Sequence, residues 1–161
     1  MCPLSRDRYQ GTATSRVCAV TELSRSSIVI NADPAAVMTV IADFPSYPQW
    51  ITFIQAVEVL DSDETGRATV VRFVLDAGVV VDDYALAYTW SDDEVSWRLV
   101  RATSIKAMDG SYRLKPTEGG TEVDYALSID IDMPLLGVFK RKAEQVLIDT
   151  ALRALKVRVE A

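Results

Sequence analysis

Residues 81–101 read VDDYALAYTWSDDEVSWRLVR and alternate apolar and polar side chains on both sides of a central Asp-Asp pair. Alternation at a period of two is typical of a strand with one buried and one solvated face. A turn at the Asp-Asp pair places Tyr88 opposite Trp97 and Leu86 opposite Leu99, so the large apolar side chains share one face. The segment therefore predicts an antiparallel hairpin with an aromatic inner face.

The same alternation extends from residue 54 to residue 132 and predicts six successive strands. A turn centred on Ala77 and Gly78 is expected to place Val71 opposite Tyr84. Three arginine–aspartate pairs then face each other across neighbouring strands: Arg72 with Asp83, Arg98 with Asp109, and Arg113 with Asp124. Because a surface ion pair contributes only about 0.2–1 kcal/mol, these pairs serve mainly as a check on the register.

A single long amphipathic helix, residues 135–160, is predicted to follow the strands. At 100° per residue its expected buried stripe consists of Leu136, Phe139, Ala143, Val146, Leu147, Thr150, Ala151, Ala154 and Val157, widened on one side by Ile148, Leu152, Leu155 and Val159. The inner face of the sheet is too apolar to stand in water, so we expect this helix to cover it.

The segment before the sheet predicts one more strand and two short helices. Residues 24–31 have the strand pattern, and Asp33 and Pro34 then provide a helix start, with the helix running to about Ala42. The stretch DFPSYPQW, residues 43–50, contains two prolines that permit only a short helix. Residues 1–22 are expected to be a mobile leader, and residues 23–161 a single α+β domain.

Composition excludes several functions. The chain contains no histidine, which removes histidine-based catalysis and histidine zinc sites. Its net charge is -6 and its basic residues are dispersed, so no nucleic-acid partner is expected. We also predict no metal and no cofactor. Cys2 and Cys18 have no metal-ligand spacing and are expected to be free thiols. The sequence contains no apolar run of membrane-spanning length, and the protein is predicted to be cytoplasmic.

The order strand, two short helices, six strands and a long helix resembles the helix-grip fold of the START-like (SRPBCC) superfamily. The stretches ADPAAV (32–37), IADFPSYPQW (41–50) and DGSYRL (109–114) are similar to its polyketide cyclase/dehydrase and coenzyme Q-binding branches. The resemblance spans about residues 23–160. It implies a curved sheet of about seven strands around the C-terminal helix, enclosing lipids, quinones, polyketides or other hydrophobic molecules.

Side chains of the inner face, the helix and the short-helix region are the candidate ligand contacts, because pockets combine apolar walls with a few polar tips. The predicted ligand-binding residues are Trp50, Phe53, Phe73, Asp82, Tyr84, Leu86, Tyr88, Trp97, Leu99, Arg101, Met108, Tyr112, Tyr125, Phe139, Ala143 and Leu147. Ordinary core packing is the alternative for the aromatic members.

Two subsets of these residues carry sharper hypotheses. Asp82 and Arg101 are expected on the inner face or its edge, where they would orient a polar ligand group, unless they simply reach solvent at the strand ends. Trp50 and Phe53 would gate the entrance or, alternatively, anchor the short helix permanently to the sheet.

Three functions therefore remain open from the sequence. The leading prediction is a non-catalytic carrier or sensor of a hydrophobic small molecule. The second is an enzyme of the polyketide cyclase/dehydrase type, in which Asp82 or a tyrosine would move a proton. The third is a protein-interaction module, since the family resembled here also includes a ribosome-associated inhibitor of translation.

Overall fold

The computed structural model describes residues 23–78, 81–131 and 137–161, without the side chains of residues 137–139. Within these ranges the strands are β1 (Ser24–Ile30), β2 (Ile54–Ser62), β3 (Ala68–Asp76), β4 (Val81–Trp90), β5 (Glu94–Arg101), β6 (Ile105–Thr117) and β7 (Gly120–Ile131). The helices are α1 (Pro34–Ala42), α2 (Tyr47–Trp50) and α3 (Gly137–Glu160), and a 3-10 turn, Phe44–Ser46, precedes α2. The predicted leader and both cysteines lie outside these ranges.

The strands form one antiparallel sheet in the order β1-β7-β6-β5-β4-β3-β2. The long helix α3 packs mainly against β1 and β7 at one side of the sheet, and α2 packs against β2 at the other. The predicted α+β helix-grip architecture, with two short helices after the first strand, is confirmed. The middle strands of the sheet therefore lie between the part covered by α3 and the part covered by α2.

The predicted register is confirmed for β4 with β5, where Tyr88 faces Trp97 and Leu86 faces Leu99. Two further pairings are also as predicted, Arg98 with Asp109 and Arg113 with Asp124. Strands β5 to β7 therefore present the inner face that the alternation of the sequence requires.

The predicted register between β3 and β4 is wrong by two residues. Tyr84 lies opposite Phe73, and not opposite Val71. The connecting loop is longer than the expected two-residue turn, because the ladder already ends at Asp76, whose side chain accepts the N–H of Gly78 at 3.1 Å. A shift of two residues keeps each side chain on its own face, so the inner face is preserved.

The arginine–aspartate pairs are only partly ion pairs. Arg72 is no longer opposite Asp83, yet it reaches that carboxylate diagonally with two hydrogen bonds of 2.8 and 2.6 Å. Arg113 lies opposite Asp124 but forms its ion pair with Glu94, at 2.8 Å. The predicted strand pairing therefore identified which charged side chains lie near one another, but not always which of them form an ion pair.

The buried face of α3 is rotated from the predicted stripe. Val146 and Val157, expected at its centre, are 56% and 71% exposed. The buried side chains are Glu144, Leu147, Ile148, Ala151, Leu152 and Leu155. Since α3 lies over the β1 side of the sheet, Ile148, Leu152 and Leu155, which were predicted only to widen the buried stripe, lie at its centre.

Glu144 is a buried carboxylate that the sequence analysis did not identify. It is 3% exposed and accepts hydrogen bonds from the Ile129 N–H at 2.6 Å and the Ser24 hydroxyl at 2.8 Å. The β1 ladder ends where Ser24 meets Leu127, so the Ile129 N–H lies beyond the last strand partner. Glu144 satisfies this donor and ties α3 to the end of the ladder.

Candidate functional site

A cavity of about 70 Å³ lies between the inner face of the sheet, the α2 region and α3, and it is partly open to solvent. Its walls are almost entirely apolar and aromatic. The described residues that line it are Ile41, Tyr47, Ile51, Phe53, Ile54, Phe73, Leu75, Tyr84, Leu86, Tyr88, Trp97, Met108, Tyr112, Tyr125, Leu127, Ile129, Leu147 and Ala151.

The sheet side of the cavity is a continuous aromatic wall. Cross-strand pairing brings Tyr112 beside Tyr125, with ring centroids 4.4 Å apart, and Trp97 lies within 5.4 and 5.7 Å of these two rings. Phe73 and Tyr84 stack with centroids 5.5 Å apart on the neighbouring strands. Such pairs prefer particular ring orientations and contribute about 0.5–1.5 kcal/mol beyond their buried area, so the wall has a defined shape.

Gly110 explains how the large Trp97 side chain fits into this wall. The two residues are cross-strand partners, and the indole ring lies directly over the glycine Cα. A Cβ at position 110 would fall far inside van der Waals contact with the ring. The glycine in the stretch DGSYRL is therefore required by packing against an aromatic neighbour and not by a turn.

The phenols of the cavity stay protonated over the physiological range. Burial raises the pKa of Tyr84, Tyr88, Tyr112 and Tyr125, and neighbouring phenols add to this effect for the first three. Desolvation disfavours a charged phenolate in such surroundings. Tyr112 and Tyr125 are hydrogen-bonded to each other. Neutral phenols such as Tyr84 and Tyr88 can donate a hydrogen bond to a bound molecule, but they cannot act as a base.

Tyr47 has a structural partner for its hydroxyl. It donates a hydrogen bond to the backbone carbonyl of Ile41, and both residues line the cavity. This bond joins the end of α1 to α2. Burial is also the main reason why the pKa of Tyr47 is raised.

None of the described lining residues carries a charge at neutral pH. In the described part of the chain, no cluster of three or more acidic, histidine or cysteine side chains has the arrangement of a metal site. The arrangement is therefore that of a hydrophobic binding cavity with phenolic hydrogen-bond donors.

Most of the predicted ligand-binding residues come together at this cavity. Phe53, Phe73, Tyr84, Leu86, Tyr88, Trp97, Met108, Tyr112, Tyr125 and Leu147 line it. Trp50, Asp82, Leu99, Arg101 and Ala143 are not among the described lining residues. The side chain of Phe139 lies outside the described part of the structure.

Arg101 is on the opposite face of the sheet from the one expected. The β4–β5 ladder pairs Leu86 with Leu99 but Ala85 with Arg101, which marks a bulge around Val100. The extra residue turns the exposed Arg101 to the outer side of the sheet. The pKa of the Asp83 carboxyl is lowered mainly by the hydrogen bond from Arg72, and the charge of Arg101 lowers it further.

Asp82 is turned inward as expected, but its carboxylate is used by the backbone. It is 5% exposed and accepts the N–H groups of Thr103, Ser104 and Ile105 at 2.7–2.8 Å. These three groups form the bend between β5 and β6, where strand partners are lacking. Asp82 therefore holds this bend, and its oxygens are not directed at the cavity.

Trp50 and Phe53 lie in different environments. Phe53 lines the cavity and is only half-buried, which places it where the cavity meets solvent. Trp50 packs on Tyr47 with ring centroids 5.0 Å apart, and its buried Nε1 has no hydrogen-bond partner among the described residues. The gating hypothesis is therefore retained for Phe53, while Trp50 fits the anchoring alternative.

Leu99 and Ala143 lie next to the site. Leu99 is partly buried against the core, whereas Ala143 contributes to a separate void of about 10 Å³ beside Glu144 and Lys140.

The lining residues that sequence reasoning missed come mainly from the α1–β2 region. Ile41, Tyr47, Ile51 and Ile54 are apolar residues near the two prolines, and no pattern in the sequence fixes where this segment lies on the sheet. The other four, Leu75, Leu127, Ile129 and Ala151, were predictable, because they follow the strand and helix periodicities.

Comparison with known proteins agrees with the geometry. The family model described as "Polyketide cyclase / dehydrase and lipid transport" matches residues 22–160. No curated protein matches the chain.

In the described residues, no helix combines the length and apolar character that crossing a membrane requires.

Solved structures share the fold at low sequence identity. A START superfamily protein from Mycobacterium smegmatis is 18% identical, with a TM-score of 0.80 over 86% of this chain and 97% of that chain. The Zhui aromatase/cyclase from Streptomyces sp. R1128 is 14% identical, with a TM-score of 0.68 over 86% of this chain and 93% of that chain. At these identities the likeness concerns the fold alone.

Replacing Asp82 tests its role at the β5–β6 bend. Asp82→Asn removes the charge and one acceptor oxygen, so we expect the free energy of unfolding to fall by about 2–4 kcal/mol. Asp83→Asn is the matched control, because its ion pair with Arg72 lies near the surface and contributes at most about 1 kcal/mol. Urea unfolding followed by circular dichroism measures both. Equal losses in the two variants would contradict this role.

The buried phenols predict a steep loss of stability in alkali. A phenol whose pKa is raised in the folded protein keeps its proton while the unfolded chain loses it above pH 10, so stability falls as the pH rises beyond that value. Each buried tyrosine contributes about 1.4 kcal/mol per pH unit. Tyrosinate absorbance and circular dichroism should therefore change together. Titration of most tyrosines near pH 10 in a folded protein would contradict their burial.

Proposed function

The chain belongs to the polyketide cyclase/dehydrase and lipid transport family, and from this premise we propose that it binds and carries an apolar small molecule in the cytoplasm. The ligand occupies the cavity between the aromatic wall of the sheet and the side chains of Leu147 and Ala151 on α3. One observation carries the proposal, namely an uncharged, aromatic-lined cavity that is partly open to solvent.

Burial of apolar surface supplies the affinity. Removing such surface from water is favourable by roughly 25 cal/mol per Å². Phenolic hydroxyls on the wall then orient any polar group of the ligand, because a hydroxyl in an apolar cavity gains most from a hydrogen bond. Affinity and orientation therefore come from different parts of the same wall.

The size of the cavity implies that its walls move apart on loading. An apolar cavity of about 150 Å³ in another protein admits benzene, whereas this one is about 70 Å³. Separate elements contribute the walls: Phe53 comes from the α2–β2 connection, Leu147 from α3 and Met108 from β6. A small outward movement of these side chains enlarges the space without disturbing the sheet, and methionine adapts most readily.

The carrier is favoured over the cyclase alternative by the chemistry of the lining. Aldol closure and loss of water need a base within hydrogen-bond reach of the substrate. The described lining offers phenols with raised pKa values, and the Asp82 carboxylate is engaged by three backbone N–H groups. Among the described residues, no observation favours the interaction-module alternative.

A cavity-filling substitution tests the proposal. Ala151→Val adds two methyl groups to the cavity wall, so binding of the neutral dye N-phenyl-1-naphthylamine should weaken by about tenfold. Ala154→Val is the matched control, since Ala154 lies on the same helix and is not among the described lining residues. Dye fluorescence measures the affinity, and thermal unfolding checks that each variant remains folded.

Two results would contradict this function. The wild-type protein could fail to enhance the dye fluorescence, or the Ala151 variant could bind as tightly as the Ala154 variant. Either result would show that apolar molecules do not occupy the space beside α3.

A further inference from the structure

We propose that the cavity selects by charge and takes an uncharged ring compound bearing a carbonyl or hydroxyl group, while excluding carboxylates and ammonium ions of the same shape. The inference rests on the proposed function and goes beyond it, because hydrophobic ligands as a class include anions such as fatty acids. It follows from where the charged side chains of the protein lie.

No cation among the described residues lines the cavity to meet a carboxylate. Arg101 is turned to the outer face by the bulge in β5, and Arg72 binds Asp83 on the outer face of β3 and β4. Burying a carboxylate without a counter-ion is strongly unfavourable, even after local relaxation. For an anionic ligand, the cost of burying the charge would therefore cancel most of the free energy gained by burying its apolar surface.

Two buried carboxylates lie behind the wall, and neither gives an anionic ligand a positive partner. Asp82 is close enough to Tyr84 for its charge to disfavour ionisation of that phenol. Glu144 is hydrogen-bonded to the N–H of Ile129, a lining residue, and lies 3.7 Å from the Lys140 ammonium. Tyr84 and Ile129, on which these two acids act, both line the cavity.

The same two acids do not form a cation site. Asp82 accepts backbone N–H groups of the β5–β6 bend, and Glu144 accepts from Ile129 and Ser24. Their oxygens are thus directed away from the cavity into hydrogen bonds with the protein. An ammonium in the cavity would lose its water without gaining a carboxylate partner.

The wall instead suits neutral rings. Aromatic side chains on one side and the aliphatic Leu147 and Ala151 on the other form an apolar space. The phenols of Tyr84, Tyr88 and Tyr125 supply hydrogen-bond donors that remain protonated. A carbonyl oxygen or hydroxyl on the ring matches these donors at no cost in buried charge.

Three probes of one shape test the inference on the wild-type protein. Isothermal titration calorimetry at neutral pH compares naphthalene-2-carboxamide, naphthalene-2-carboxylate and 2-naphthylmethylammonium, with N-phenyl-1-naphthylamine as the reference for an accessible cavity. We expect the carboxamide to bind at least about thirtyfold more tightly than either ion, and the Ala151→Val variant to weaken its binding.

The outcomes separate the inference from the function on which it rests. If either ion binds within about threefold of the carboxamide, charge selection is wrong and the carrier function stands. If the reference dye binds but the carboxamide does not, charge selection is wrong as well. If neither the dye nor the carboxamide binds, the proposed function fails and the inference fails with it.

Discussion

The structure depends on the mismatch between a broad apolar sheet face and the long helix α3, which covers only part of it. Helix α3 packs over β1 and β7, and the α2 region covers the opposite side near β2. Where these two covers meet above the middle strands, the aromatic side chains face a cavity of about 70 Å³. An uncovered face of this kind would be exposed to water, so burial of the aromatic wall both stabilises the fold and encloses the cavity.

The buried acids show how the fold keeps this space uncharged. Asp82 and Glu144 each meet backbone N–H groups that lack strand partners, one at the β5–β6 bend and one beyond the end of the β1 ladder. Each carboxylate therefore completes the hydrogen bonding of the sheet instead of serving the cavity. The chemistry that remains for the site is apolar contact with phenolic hydrogen bonds, which suits binding better than proton transfer.

The sequence predicts those features that follow from local periodicity. The alternation in β4 to β7 correctly predicted the pairing of Tyr88 with Trp97 and the aromatic wall itself. Features that depend on one inserted residue or on docking could not be predicted. The bulge that reverses Arg101 has no separate sequence signal, and the rotation that exposes Val157 and buries Glu144 is set by where α3 docks on the sheet.

The content of the protein when it is purified from its own host tests the carrier function most directly. Native mass spectrometry, followed by solvent extraction of the denatured protein, measures occupancy and chemistry together. We expect an apolar, uncharged molecule that is retained in the native state and released on unfolding. Two results together would contradict the carrier function. The purified protein would show only the mass of the polypeptide, and it would bind none of the apolar compounds extracted from its host when they are added back.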